Sequence, residues 1–572
     1  GGRPGEPPLV VVPQARASVH LWALLRSAGR EVSLSSVSLL RPRINLVRNQ
    51  DGTWSHQDLL QGGGSETERE VLVSDLHVRD GGLYVIDRSG PNPDEAVAMR
   101  HIDLRAADLG GPAMRFEVSA ALASEKPNLK AKLAQKEGAW SGTLSVDPLS
   151  VANLRGLLPA GVDHALTAGT VALRADLTTG KDGATQVKGH VDAPELSLRG
   201  AQASGAFDFL ARLPPGASAS PTVDITHLRL NGPGVVDLTG EAALRGKPLT
   251  ASFSLAGPLL DLGVLMNALP SEEGPSDTSG TIPASMRKSI ASLGARGQLK
   301  VDKLIVKKLS AQNVVADAQL QDGVVTLSRA TADLYGGSLS ATGTRLDLRQ
   351  PLPLWELRGQ LGGVNVGTAM QQVAGTSPLT GSFEGEIDLR GQGAQWSQLQ
   401  KSMTGQGSFK VNDGALMTAD LAQAISGPIG EALKIAGKSS ALAQGGSGAS
   451  QSTPLRGLQG SFTVKNGQLV FSRPITARST FGELSIAGSV GLDQQLDLQG
   501  TAQLSPQFLS QTTGFNPGRP IAAPLSLTGP LDSPQVHVDS GAVARELLKQ
   551  SPPGELFEKG IRGLFGGESR QQ

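Results

Sequence analysis

Alternation with a period of two dominates this chain, and that period belongs to β-strands with one apolar face and one wet face. Phe383, Gly385, Ile387 and Leu389 fall on one side of such a run, with Glu384, Glu386, Asp388 and Arg390 on the other. The pattern returns at Leu484, Ile486, Gly488, Val490 and Leu492 against Glu483, Ser485 and Ser489, and at Leu496 and Leu498 against Asp497 and Gln499. Between such runs stand Asp51-Gly52, Asp80-Gly81, Asp322-Gly323, Asp413-Gly414 and Asn466-Gly467. These dipeptides tolerate positive φ and read as hairpin turns. Three sit in a recurrent phrase, VVADAQLQDGVVTL, GSFKVNDGALM and GSFTVKNGQLVF, each read as a strand, a turn and a returning strand.

Roughly thirty strands spaced at about 4.8 Å would form a sheet about 140 Å long, too long and thin to enclose one compact core. The expected fold is therefore mainly β: an elongated, strongly twisted antiparallel sheet curled into an apolar groove, with a few short helices. The same apolar face could instead be buried against itself, as in a β-sandwich or a filled solenoid. Helices are expected at residues 15–28, at about 419–436, where Leu421, Ile425, Ile429 and Leu433 are four apart, and in the tail. In the tail Phe557, Ile561, Leu564 and Phe565 share one side, which either docks back on the sheet or contacts a membrane or partner. Residues 271–290 read as a linker and 438–453 as a flexible insert. They divide the chain into three blocks, within which the regions are 1–150, 151–270, 291–437, 454–540 and the tail 541–572.

Composition narrows what an apolar groove would hold. Lys plus Arg and Asp plus Glu number 52 each, so no global positive field attracts nucleic acid. Cys is absent, which excludes disulfides and thiolate metal sites. No stretch approaches the roughly 18 to 20 apolar residues needed to cross a bilayer. Aromatic residues make up only 3%, so the apolar positions form an aliphatic lining that suits acyl chains better than sugars or bases. The candidate lining residues are Phe383, Ile387, Leu389, Leu484, Ile486, Val490, Leu496 and Leu498.

Catalytic chemistry finds no pattern to stand on. The residues His20, His56, His77, His101, His164, His190, His227 and His537 lack metal-ligand spacing. Ser285-Met286-Arg287-Lys288 fits S-x-x-K only by its four residues and lies in a Ser-rich stretch. Ala436-Gly437-Lys438-Ser439 lacks the earlier Gly of a phosphate loop, whose place Ala432 takes. Glu384 and Glu386 project from the same solvated strand face as Asp388 and Arg390 and read as surface carboxylates, not as a general acid and base. No enzyme, metal or cofactor is expected.

RPRINLVRNQDGTWSHQDLL (Arg41 to Leu60) resembles the amino-terminal region of the AsmA family. The runs from YGGSLSATGTRLDL (Tyr335 to Leu348) through LTGSFEGEIDLRGQG and SMTGQGSFKVNDGALMTADL, and on to LSLTGPLDSPQVHVD (Leu525 to Asp539), resemble its carboxy-terminal region in order and spacing. Residues 150–290 match only in strand texture. The resemblance implies a periplasmic β-groove tethered to the inner membrane by an amino-terminal helix upstream of Gly1, similar to bridge-like lipid transfer proteins. It also implies a non-enzymatic role in outer-membrane biogenesis. Phospholipid or another acyl-chain lipid is the expected partner, carried between inner and outer membrane. The alternative is a structural or chaperone-like factor that engages outer-membrane assembly proteins without lipid.

Overall fold

Among the described residues the runs in which apolar and polar residues alternate form strands, and the 29 strands found there make the computed structural model mainly β. The structure describes residues 8–19, 26, 32–48, 71–87, 94–109, 111–151, 166–198, 201–215, 220–246, 249–264, 281–282, 284–435, 452–514 and 516–549. Two units partition the chain: Gly1–Asp277 with Leu293–Lys307, and Thr278–Ser292 with Lys308–Gln572.

The first unit contains β1 (Val10–Val11), β2 (Gln14–Val19), β3 (Val32–Leu40), β4 (Arg43–Arg48), β5 (Val71–Asp87), β6 (Asp94–Ala107), β7 (Arg115–Leu122) and β8 (Leu129–Lys136). It continues with β9 (Ala139–Ser150), β10 (Leu166–Thr179), β11 (Thr185–Leu198), β12 (Ala201–Leu213), β13 (Thr222–Gly232), β14 (Val236–Arg245), β15 (Thr250–Asp261) and β16 (Gly294–Val306). From β5 onward each strand pairs with the next.

The sheet is mixed, which corrects the expectation of a purely antiparallel one. β3 and β4 run parallel to successive halves of the 17-residue β5, and β15 runs parallel to β16. Parallel pairing needs a long crossover, and the intervals 49–70 and 262–293 are long enough to supply it. Residues 15–19, expected to begin a helix, form part of β2 instead, since the edge of β3 offers Leu39 and Val37 as partners for Ala15 and Ala17. The rest of that expected helix lies outside the described residues, apart from residue 26.

The second unit contains β17 (Leu309–Gln321), β18 (Val324–Leu334), β19 (Gly337–Ser340), β20 (Arg345–Asp347), β21 (Leu354–Asn365), β22 (Leu379–Gln392) and β23 (Thr404–Leu416). Then follow β24 (Thr453–Lys465), β25 (Gln468–Ser479), β26 (Gly482–Gly491), β27 (Gln495–Leu504), β28 (Ile521–Pro530) and β29 (Gln535–Val538). Its helices are α1 (Ala284–Ala291), α2 (Val366–Ala374), α3 (Trp396–Ser402), α4 (Leu421–Ile435), α5 (Pro506–Thr513) and α6 (Ser540–Lys549). Helix α1 forms within the stretch read as a linker.

Asp51-Gly52 lies outside the described residues, and the other four Asp-Gly and Asn-Gly pairs read as hairpin turns divide into two kinds. Asp322-Gly323 and Asn466-Gly467 turn hairpins, with φ of 49° and 76° in the first and 51° and 75° in the second. Asp80-Gly81 and Asp413-Gly414 instead lie inside β5 and β23. There the left-handed Asp (φ 55° and 48°) makes a bulge while pairing continues on both sides. Turn and bulge use the same positive φ, so the dipeptide alone does not separate them.

Bulges also recur with a side-chain tie. His101 and His227 in the first unit and Asn313 in the second are left-handed strand residues, with φ of 49°, 50° and 50°. Each side chain bonds an Asp of the neighbouring strand: Asp80 at 2.8 Å, Asp208 at 2.8 Å and Asp333 at 2.7 Å.

Candidate functional site

Cross-strand pairing in the first unit aligns one row of residues over fourteen strands, β2, β3 and β5 to β16. The row reads Ala15, Leu39, Val78, Leu104, Val118, Ala131, Leu144, Ala175, Gly189, Phe209, Ile225, Ala242, Phe253 and Gly297. A second row on the same face runs from Ala17 and Val37 through Phe116, Leu177, Val187 and Val223 to Leu244, Ala251 and Ala295, again without a polar side chain. At about 4.8 Å per step these rows extend roughly 60 Å along the sheet.

Large side chains on this face lie flat over glycines of the next strand. The Phe209 ring covers Gly189, where an added methyl would sit 2.5 Å from it, and Phe253 covers Gly297 in the same way. That placement keeps the lining shallow and explains glycine at positions where alternation calls for an apolar residue.

The rows are only partly covered. Phe253 retains 40% of its accessible surface and Leu244 37%, and most of the other residues on this face are half-buried. Among the described residues of this unit, closed packing is seen in two small clusters, one around Val236, Leu238, Leu260 and Val301 and one around Ala120, Leu129 and Val146.

The opposite face is charged. His190 Nδ1 lies 2.7 Å from Asp208 Oδ1, and His227 Nδ1 lies 2.8 Å from Asp208 Oδ2. These two hydrogen bonds, His190 foremost, hold the Asp208 carboxyl below its ordinary value of 3.8. Asp224 is lowered likewise by Arg245 and Arg212. For a carboxylate with a lowered pKa, the stabilising contribution is present above the ordinary value and fades as pH falls through the lowered one. His190→Ala is therefore expected to raise the Asp208 pKa toward 3.8, read by NMR titration of the side-chain carboxyl. An unmoved titration curve would remove the hydrogen bond as the cause.

In the second unit the eight residues singled out by alternation lie on one face. Pairing places Leu389, Gly405, Val464, Leu469, Val490 and Leu496 in one row. Leu484, Ile486, Leu496 and Leu498 are buried in a core shared with Leu421, Ile425, Ile429 and Leu433 of α4, Phe508 and Leu509 of α5, and Val543 and Leu547 of α6. Phe383 and Val490 pack against that core, while Ile387 and Leu389 are half-buried outside it. Helices α4 to α6 thus close the apolar face at this end. Phe557, Ile561, Leu564 and Phe565 lie outside the described residues.

The fourteen-strand rows were not singled out from the sequence. Their signal was there in VALRADL, QVKGHVD and AFDFLAR, where the same alternation runs with smaller residues.

Among the described residues no group of His, Asp or Glu is placed to hold a metal, and no helix is long and apolar enough to cross a membrane. Residues 286–472 match the model of the AsmA family, and that match points to an envelope protein related to outer-membrane biogenesis. No curated protein matches the chain.

Proposed function

Taking the AsmA match over residues 286–472 as premise, we propose that this chain is a non-enzymatic envelope protein that carries phospholipid or another acyl-chain lipid along the apolar face of its first unit. The observation that supports this reading is the pair of rows across fourteen strands, aliphatic in the main and half-exposed. A face of that length left open to water would be costly. Each methylene moved onto it gains about 0.8 kcal/mol, so a sixteen-carbon chain gains roughly 12 kcal/mol before ordering costs.

Movement along the rows needs no polar crossing, because successive strands present the same chemistry. On this reading the chain works in the periplasm, tethered to the inner membrane by a helix preceding Gly1, and delivers lipid between the two membranes. The test is the lipid content of gently purified chain: bound phospholipid is expected, and a stable, lipid-free protein would sink the reading.

One observation favours a second reading, a structural or chaperone-like factor for outer-membrane proteins. Strand β2 is exposed along its length and pairs on one side only among the described residues, so its other edge is open to an added strand. Capture of β-barrel precursors by lipid-free chain would favour it.

A further inference from the structure

The polar face of the second unit is cleft on both sides of one row of side chains. Register aligns Thr331, Ser340, Gln360, Glu386, Ser408 and Ser461 across β18, β19 and β21 to β24. A cleft of about 720 Å³ runs along one side of this row and one of about 800 Å³ along the other, and Ser340, Gln360, Glu386 and Ser408 line both. The floor of the first is the backbone of Ala332, Leu339, Leu361, Gly385 and Phe409, a row that alternation turns to the apolar face, where the Phe409 ring stacks on Phe383. Its outer wall holds Asp333, Ser338, Glu384 and Lys410, and that of the second cleft holds Thr342, Arg358, Asp388 and Gln406. At about 4.8 Å per strand the first cleft is about 20 Å long from β18 to β23.

The two ends of the clefts differ in how their polar groups are used. Toward β17 and β21 the side chains bind one another: Asn313 donates to Asp333 at 2.7 Å, Gln360 donates to Glu386 at 3.4 Å, and Arg358 Nε lies 4.0 Å from Asp388. Toward β23 to β25, Gln406, Ser408, Lys410, Ser461, Thr463 and Arg473 are exposed and make no side-chain hydrogen bond or ion pair among the described residues. Donors and acceptors are thus free there without any internal bond being broken.

We propose that these clefts bind a linear, neutral oligosaccharide chain. Asp333, Glu384, Glu386 and Asp388 are offset by Arg358, Lys410 and Arg473, so no single-sign field selects a polyanion or a polycation. The apolar residues contribute floor backbone, which gives an acyl chain or a base nothing to lie on. Strand addition is closed to a peptide, because the floor backbone is spent on pairing with the neighbouring strands. A polyhydroxyl chain uses what remains: carboxylates accept its hydroxyls, and Ser, Thr and Gln side chains both donate and accept. The inference goes beyond lipid carriage, since it concerns the other face of the sheet in the other unit.

Saturation-transfer NMR of the full chain with chitohexaose and with maltohexaose tests it. Saturable binding of at least one of the two hexasaccharides is expected. Glu386 faces both clefts, so Glu386→Ala should weaken binding about tenfold or more, the scale of removing hydrogen bonds to a charged acceptor. Glu386→Gln, which keeps one acceptor oxygen, should fall between. Glu241→Ala, at an exposed carboxylate of β14, should bind as wild type does. Ile225→Asp should also keep sugar binding, which separates this site from lipid carriage. Failure of both hexasaccharides to bind, equal binding by Glu386→Ala, or tighter binding of polyglutamate or polylysine than of either sugar would each overturn the proposal.

Discussion

Phe481→Ala is expected to destabilise the second unit by about 3 to 5 kcal/mol, the cost of truncating a fully buried Phe and leaving a cavity. Phe481 is wholly buried and meets the Phe508 ring edge to face, with centroids 6.4 Å apart. Around it converge β26 to β28, α4, α5 and α6 in one cluster, so few neighbours are free to collapse into the space. Urea unfolding followed by circular dichroism reads the effect as a lower midpoint with unchanged slope. A loss below about 1 kcal/mol would mean that this end of the sheet is not closed by its helices.

Ile225→Asp should do the opposite: leave stability nearly unchanged and remove bound lipid more than tenfold. Ile225 stands between Phe209 and Ala242 in the first row and is half-buried, so an Asp carboxylate there keeps access to water in the lipid-free protein. With an acyl chain laid along the row that access is lost, and desolvating a carboxylate costs several kcal/mol. Ile486→Asp is the control, because it places the same charge in a position only 6% exposed within the closed core and should unfold the second unit instead. Equal lipid content in Ile225→Asp and wild type would argue that the rows are not the binding face.

The two isoleucines mark what alternation discloses. Period two placed Ile486 on an apolar face and left Ile225 unmarked, and whether such a face is open or covered depends on which helices return to it. Helix α4 was legible because Leu421, Ile425, Ile429 and Leu433 repeat at helical spacing, and all four are buried. That it would cover Ile486 was not, since the contact joins residues some sixty positions apart, as the shared cluster records.

Asp80-Gly81 and Asp413-Gly414 became bulges rather than turns for a similar reason: the neighbouring strands keep pairing past them, and partners distant in sequence decide that. The parallel pairs of β5 and β16 depend on crossovers whose length is visible but whose direction is not. Residues 15–19 carry Ala, Arg and Ser that were read as the start of a helix, yet the edge of β3 holds them as a strand.

The rows of the first unit were legible strand by strand, but their continuity is a property of register, which fourteen strands set jointly.

Mass spectrometry of organic extracts from chain purified without harsh detergent tests the central claim most directly. Phospholipid at one or more molecules per chain, lost in Ile225→Asp, is the expected result. A folded wild-type chain that yields no lipid would contradict it.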